Sequence, residues 1–152
     1  MTHEELKSRL PHRDAMLLIG EVSVTQDADT DTPCAHGETQ IRGDEWFLRG
    51  HFPGNPVVPG VILCEIMAQS VCALISCDGV LPFFSGIKNV KWRKSVKPGD
   101  TFVTECSIVR QMGNFYFVKG TGSVNGEICV EAEFSFALVP KETNPASEDQ
   151  NA

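Results

Sequence analysis

His51 and Glu65 are the two residues of this chain whose types and spacing suit acid–base chemistry. His51 sits in the segment from Gly50 to Gly60, where three prolines and three glycines occupy eleven positions. Such a stretch is neither helix interior nor central strand, so it reads as a stiff loop that fixes whatever it carries. Glu65 follows fourteen residues later, inside an apolar run from Val61 to Cys77. It lies five residues past Gly60, about 7.5 Å up a helix that rises 1.5 Å per residue. Desolvation disfavours a carboxylate on an apolar helix. A neutral carboxylic acid can donate a proton while a nearby imidazole accepts one. Pro59-Gly60 opens the helix, and its free N–H groups present partial positive charge to an incoming oxygen. Glycine at that point permits close approach of a carbonyl. Base, acid and amide donor together suit removal of a proton alpha to a carbonyl with loss of a beta hydroxyl. A Glu buried beside His or Arg for fold specificity fits the same residues. No Ser or Cys adjoins His51, so a nucleophilic acyl-enzyme route has less support.

The other titratable residues read as bland. His3 lies in a fraying terminus and His36 in a polar strand, while His12, just after Pro11, reads as a structural hydrogen-bonder. Six cysteines at 34, 64, 72, 77, 106 and 129 form no C-x-x-C and have no His pairs at ligand spacing, so small buried thiols are expected. Gln69, four residues after Glu65, shares its helical face.

These residues need elements to hold them. The run Val61 to Cys77 is apolar nearly all round, which predicts a helix buried on all sides. Thr2 and Glu5 have capping-box spacing, predicting a two-turn helix that buries Leu6 and Leu10 before Pro11 stops it. Strands are predicted over Met16–Thr25 and Ala35–Ile41, with an acidic loop at Asp27–Pro33 between them. Four more follow at Ile87–Val96, Thr101–Arg110, Phe115–Val124 and Glu127–Val139, punctuated by Pro98-Gly99, Gly113-Asn114 and Asn125-Gly126. In the last strand Ile128, Val130, Ala132, Phe134, Phe136 and Leu138 alternate with a mostly polar set. An antiparallel sheet wrapped around the helix buries both apolar surfaces. A helix apolar all round is hard for one small sheet to cover, which points to a second subunit. Residues 1–140 read as one domain and 141–152 as a disordered polar tail.

The chain has 152 residues, enough to bury about two-thirds of its unfolded surface around one core. Its 41% hydrophobic and 22% charged residues exclude a wholly disordered, collagen-like or disulfide-scaffold class. A net charge of −7 argues against general nucleic-acid binding. The acid is uneven. Lys88, Lys91, Arg93, Lys94 and Lys97 fall in ten residues free of Asp and Glu, leaving −12 on the rest. That segment suits either a polyanionic partner or a solvated strand face. Residues 1–12 contain no apolar signal core, and the run Val61–Cys77 is short for a membrane span, so a cytoplasmic protein is expected.

The combination His51-Phe52-Pro53, Pro56, Pro59-Gly60 and Glu65 with Met67-Ala68-Gln69 resembles the active-site signature of the beta-hydroxyacyl-(acyl-carrier-protein) dehydratases of the FabZ type. Leu10-Pro11-His12-Arg13, Gly86-Ile87, Lys97-Pro98-Gly99-Asp100 and Asn125-Gly126 with Ala132-Glu133 extend the resemblance over residues 4–139. It implies an α+β hotdog fold, an antiparallel sheet wrapped around a long central helix, assembled as homodimers and often as trimers of dimers. By position, His51 resembles the catalytic base and Glu65 the catalytic carboxyl group. Val57 resembles the residue whose carbonyl orients the histidine, Gly60 the amide donor to the thioester oxygen, and Gln69 the residue positioning the carboxyl. Phe83 falls about where family members often carry a gating tyrosine.

The implied reaction converts (3R)-hydroxyacyl groups on acyl carrier protein to trans-2-enoyl thioesters in fatty acid biosynthesis, with no metal or redox cofactor. Lys91, Arg93, Lys94 and Lys97 are the candidate carrier contacts, and no nucleic acid or membrane partner is implied. A dehydratase–isomerase, which places aspartate at the position of Glu65, an (R)-specific enoyl-CoA hydratase, a thioesterase and a non-catalytic acyl-binding module share the fold. Asp14 and Ala15 replace the aromatic and proline usual after Pro-His-Arg, and the Asp78–Ser85 connection is short, which bears on acyl-chain length and the lid.

Overall fold

Strong alternation in the C-terminal half and one long apolar run produce a six-stranded sheet curved around a helix. In the computed structural model, which describes residues 1–142, helix α1 (His3–Leu6) is followed by β1 (Glu21–Gln26) and β2 (Pro33–Gln40). Helix α2 (Gly60–Cys72), β3 (Val80–Trp92), β4 (Thr101–Met112), β5 (Phe115–Val124) and β6 (Glu127–Pro140) complete the order. The strands pair antiparallel as β1-β2-β4-β5-β6-β3, so β1 and β3 are the edges. The expected C-terminal tail lies, from residue 143, outside the described residues.

The β5–β6 hairpin turns at Asn125 (φ 51) and Gly126 (φ 79), the left-handed pair that a two-residue turn requires. Two steps into the hairpin the register slips, with Gly122 opposite Val130 and Ser123 opposite Ile128. Cys129 is the extra residue and is buried, while Ile128 is left exposed. The expected alternation therefore holds from Val130 to Phe136 and fails at both ends, at Ile128, which is exposed, and at Ala137 and Leu138, where Ala137 is the buried one.

Helix α2 is buried from Leu63 onward except at Glu65. Its cover comes from this chain: β2, β4 and β5 on one side, and Leu6, Leu10, Leu17, Ile19 and the segment around Phe47 and Leu48 in the same core. The apolar circumference of α2 thus does not call for a second subunit. Only its first turn is open, with Val61 69% exposed.

The remaining differences have local causes. Helix α1 spans one turn rather than two, although the Thr2–Glu5 capping box forms and Leu6 and Leu10 are buried as expected. Helix α2 ends at Cys72, where the bonding tightens to Ala73 N–H on Ser70 and Leu74 N–H on Val71. Strand β1 starts five residues late, because the N–H groups of Leu18 and Ile19 donate to Gln69 Oε1, at 2.8 and 3.3 Å, instead of to a strand. Strand β3 starts seven residues early, at Val80, and stops at Trp92. Pro82 argues against a central strand, but β3 is an edge, where a missing N–H costs no ladder bond.

Candidate active site

The loop before α2 is held by its own backbone. Phe52 and Asn55 exchange N–H···O bonds of 2.9 Å in both directions, and Val57 N–H donates to the His51 carbonyl at 2.9 Å. The Val57 carbonyl in turn lies 2.9 Å from His51 Nδ1. A carbonyl only accepts, so Nδ1 carries the ring proton and Nε2 keeps a free lone pair. The loop thereby selects the tautomer that presents a base. Val58 N–H donates to the Val96 carbonyl at 2.8 Å, fastening the loop to the basic segment beyond β3.

His51 lines an open cleft of about 570 Å³ with Gly60, Trp92, Arg93 and Lys94. Pro59 caps α2 without a side-chain acceptor, and the amides of Gly60 and Val61, at the first turn, have no acceptor within the helix. Both residues line the same cleft as His51. Glycine at position 60 answers to a neighbour the sequence did not reveal: Trp92 Nε1 donates to the Gly60 carbonyl at 3.0 Å, and a Cβ on Gly60 would stand 2.6 Å from that nitrogen.

Glu65 opens elsewhere, onto a small cavity of about 30 Å³ with His12, Gln69, Cys72, Phe84 and Phe136. Within one chain, then, the cleft of His51 and the cavity of Glu65 are distinct. Gln69 is fully buried and fully bonded: its carbonyl accepts from Leu18 and Ile19, and its Nε2 donates to Met16 O at 2.7 Å and to Glu65 Oε1 at 3.0 Å. The Glu65–Gln69 pairing expected from their spacing is present. Phe83 is 53% exposed on β3, and its neighbour Phe84 lines the Glu65 cavity.

His12 was expected to be structural, yet its Nε2 lies 3.4 Å from Glu65 Oε1. Fifty-three residues separate the two in sequence, so no local spacing links them. The Pro11-His12-Arg13 element of the family resemblance is the one signal that singles it out.

The basic segment is more exposed than strand alternation predicts, because β3 ends at Trp92 and Lys91, Arg93, Lys94 and Lys97 all face solvent. Arg93 donates from Nε and Nη2 to Glu131 at 2.9 and 2.7 Å, and Lys94 pairs with Glu127. The cysteines fit the expected inert thiols: five are buried, and burial pushes the thiols of Cys72 and Cys106 well above the ordinary value. Among the described residues no three His, Cys, Asp or Glu side chains converge for a metal, and no helix is long and apolar enough to cross a membrane.

Comparison with known proteins matches this chain to a family. A model of the FabA-like domain matches residues 10–133. The 3-hydroxyacyl-[acyl-carrier-protein] dehydratase FabZ of Bacillus subtilis is 37% identical over 139 residues, 89% of this chain and 96% of the relative. The enzyme of the same name from Caldicellulosiruptor saccharolyticus is 38% identical over 133 residues, 85% of this chain and 92% of the relative. Among solved structures, the dehydratase heterocomplex ApeI:P of Xenorhabdus doucetiae superposes with TM-score 0.73 at 19% identity, covering 95% of this chain and 96% of that one. A hypothetical thioesterase with coenzyme A from Streptococcus pneumoniae superposes at 0.56 with 14% identity, covering 81% of this chain and 89% of that one. These two speak for the hotdog fold alone. With four-fifths of its length matched by the family model and curated relatives above 30% identity across nearly the whole chain, this protein belongs to the FabA-like family and is of FabZ type.

Proposed function

We propose that this protein dehydrates 3-hydroxyacyl thioesters carried on acyl carrier protein, giving the trans-2-enoyl thioester and water. The observation that carries the reading is the His51 ring, whose Nδ1–H is taken by the Val57 carbonyl so that Nε2 is left as a base beside the open amides of α2. In the proposed reaction Nε2 takes the alpha proton, and the C–H pair becomes the new double bond. The C–O bond at the beta carbon breaks as Glu65 delivers its proton to the departing hydroxyl, which leaves as water. The Gly60 amide holds the thioester oxygen while negative charge builds there. Val57 and Gln69 position the two groups, and Phe83 contacts the acyl chain.

The separate locations of His51 and Glu65 support a site completed by a second copy, with the imidazole of one chain facing the carboxyl of the other. Strand β3 supports the same reading, since it is an unpaired edge with Phe83, Phe84 and Ile87 exposed along it. Such dimers can assemble further as trimers of dimers. Arg93 and Lys94, on the rim of the His51 cleft, together with Lys91 and Lys97 place positive charge where an acidic carrier would deliver its substrate.

The reading is tested by adding water to crotonyl and longer enoyl thioesters on both acyl carrier protein and coenzyme A, with the products identified. Formation of 3-hydroxyacyl product, faster on the carrier protein, is expected. Hydrolysis to free acid would assign a thioesterase. A shifted double bond in the product would add isomerase activity.

A further inference from the structure

We propose that His12 is a positioning residue for Glu65, holding with Gln69 the carboxyl oxygen Oε1 as an acceptor, so that Oε2 is the oxygen that carries the proton to the substrate. This rests on the reading of Glu65 as proton donor. Three observations lead to it. Gln69 has no freedom to turn its amide, because two backbone N–H groups fix its carbonyl and the Met16 carbonyl fixes its nitrogen. Its Nε2 therefore always offers hydrogen to Glu65 Oε1, at 3.0 Å. His12 Nε2 converges on that same oxygen at 3.4 Å, an ion-pair contact longer than an ideal hydrogen bond, as active-site contacts often are before substrate binds. Glu65 Oε2, by contrast, has no hydrogen-bond partner among the described residues.

The third observation concerns the other side of the ring. His12 Nδ1 is buried and has no hydrogen-bond partner among the described residues. Leaving a buried polar atom unmade is costly, and a histidine serving only to tie the fold together would use it. Among the described residues the one polar contact of this ring is with Glu65. With Nε2 as donor, the hydrogen sits between the two residues and Nδ1 is the bare nitrogen.

The consequence is a division between two chemically equivalent oxygens. In a carboxylic acid the carbonyl oxygen is the better acceptor. The Gln69 N–H donor on Oε1, with His12 Nε2 facing the same oxygen, makes that oxygen the carbonyl and directs the acidic hydrogen to Oε2.

The test compares His12→Leu, which keeps bulk without a donor, with His12→Gln, whose amide nitrogen can reach where Nε2 was. We expect kcat for His12→Leu to fall about tenfold or more with KM changed less than twofold, and His12→Gln to recover most of the loss. In a Glu65→Gln background His12→Leu should cost nothing further. Wild-type kcat in a folded His12→Leu enzyme, or an undiminished loss on the Glu65→Gln background, would overturn the assignment. Should Leu at 12 prevent folding, ¹⁵N spectra of the histidines in the unaltered protein decide: His12 protonated on Nε2 supports it, and a ring protonated on Nδ1 alone overturns it. Near-normal activity of Glu65→Gln itself would instead defeat the reading of Glu65, a result distinct from any of these.

Discussion

The indole of Trp92 packs directly onto the first residue of α2: its Nε1 donates to the Gly60 carbonyl at 3.0 Å, and a Cβ at position 60 would meet Nε1 at 2.6 Å and Cε2 at 2.8 Å. Gly60→Ala must push the indole aside or shift the start of the helix. Overpacking of this kind typically costs about 1–3 kcal/mol, and displacing the amide proposed to hold the thioester oxygen should lower kcat/KM by about 10²-fold or more. Thermal melts and kinetics on Gly60→Ala, with and without Trp92→Ala, check both effects. The double variant, freed of the clash that displaces the amide, should regain both stability and activity. If Gly60→Ala alone is as stable as wild type, the close contact does not constrain position 60.

Glu65→Gln should keep the fold, because the amide can still accept from Gln69, and should cut kcat by about 10²-fold or more, the usual scale of general acid catalysis. Circular dichroism and steady-state kinetics check both halves. A folded variant with near-normal turnover removes Glu65 from the chemistry.

Much of this site was legible in the sequence because it is written locally. The Pro/Gly-rich loop, the glycine opening the helix and the i,i+4 pairing of Glu65 with Gln69 each depend on neighbours within a few residues. What was not legible depends on chain crossings. His12 meets Glu65, and Trp92 meets Gly60 from thirty-two residues away, by tertiary placement alone. The early start of β3 was hidden because Pro82 reads as a breaker unless its strand is known to be an edge. Gln69 took the place of a strand partner for Leu18 and Ile19, so an apolar stretch that reads as β1 is bonded to a side chain instead.

The carrier contacts can be ranked by how far their charge is already answered. Arg93 is engaged by Glu131 and Lys94 by Glu127, whereas the Lys91 and Lys97 side chains have no ion-pair partner among the described residues. Lys97→Glu should therefore raise KM for carrier-bound substrate, while coenzyme A substrates are spared. The effect should shrink as salt rises. Equal changes on both carriers would count against docking at this segment.

The buried thiols give a pH dependence with a definite sign. Burial pushes Cys72 and Cys106 up from the ordinary value of 9.0, so the folded chain holds their protons where the unfolded chain releases them. A group whose folded pKa is raised contributes its stability fully below the unfolded value, and that contribution is lost as pH rises past about 9. Urea melts should show stability falling from pH 9 to 10.5. Iodoacetamide at pH 8 should leave both residues unmodified until denaturant is added, because only the thiolate reacts. Rapid native labelling of Cys72 or Cys106 in a mass-spectrometric digest would contradict their burial.

The shared site makes the sharpest demand, because His51 and Glu65 open onto different cavities of one chain. Chains carrying His51→Ala and chains carrying Glu65→Gln are each inactive on the proposed mechanism. Unfolded and refolded together, they form mixed dimers in which one site combines both defects and the other is intact at both positions, since two-fold contacts are reciprocal. Free reassortment makes half the dimers mixed, so about a quarter of all sites should recover. Sites complete within one chain could never recover in this way. Differently tagged chains purified in sequence isolate the mixed dimer, and its specific activity should be about half that of wild type. A verified mixed dimer that remains inactive sinks the shared-site model while leaving the chemistry assigned to each residue to its own test.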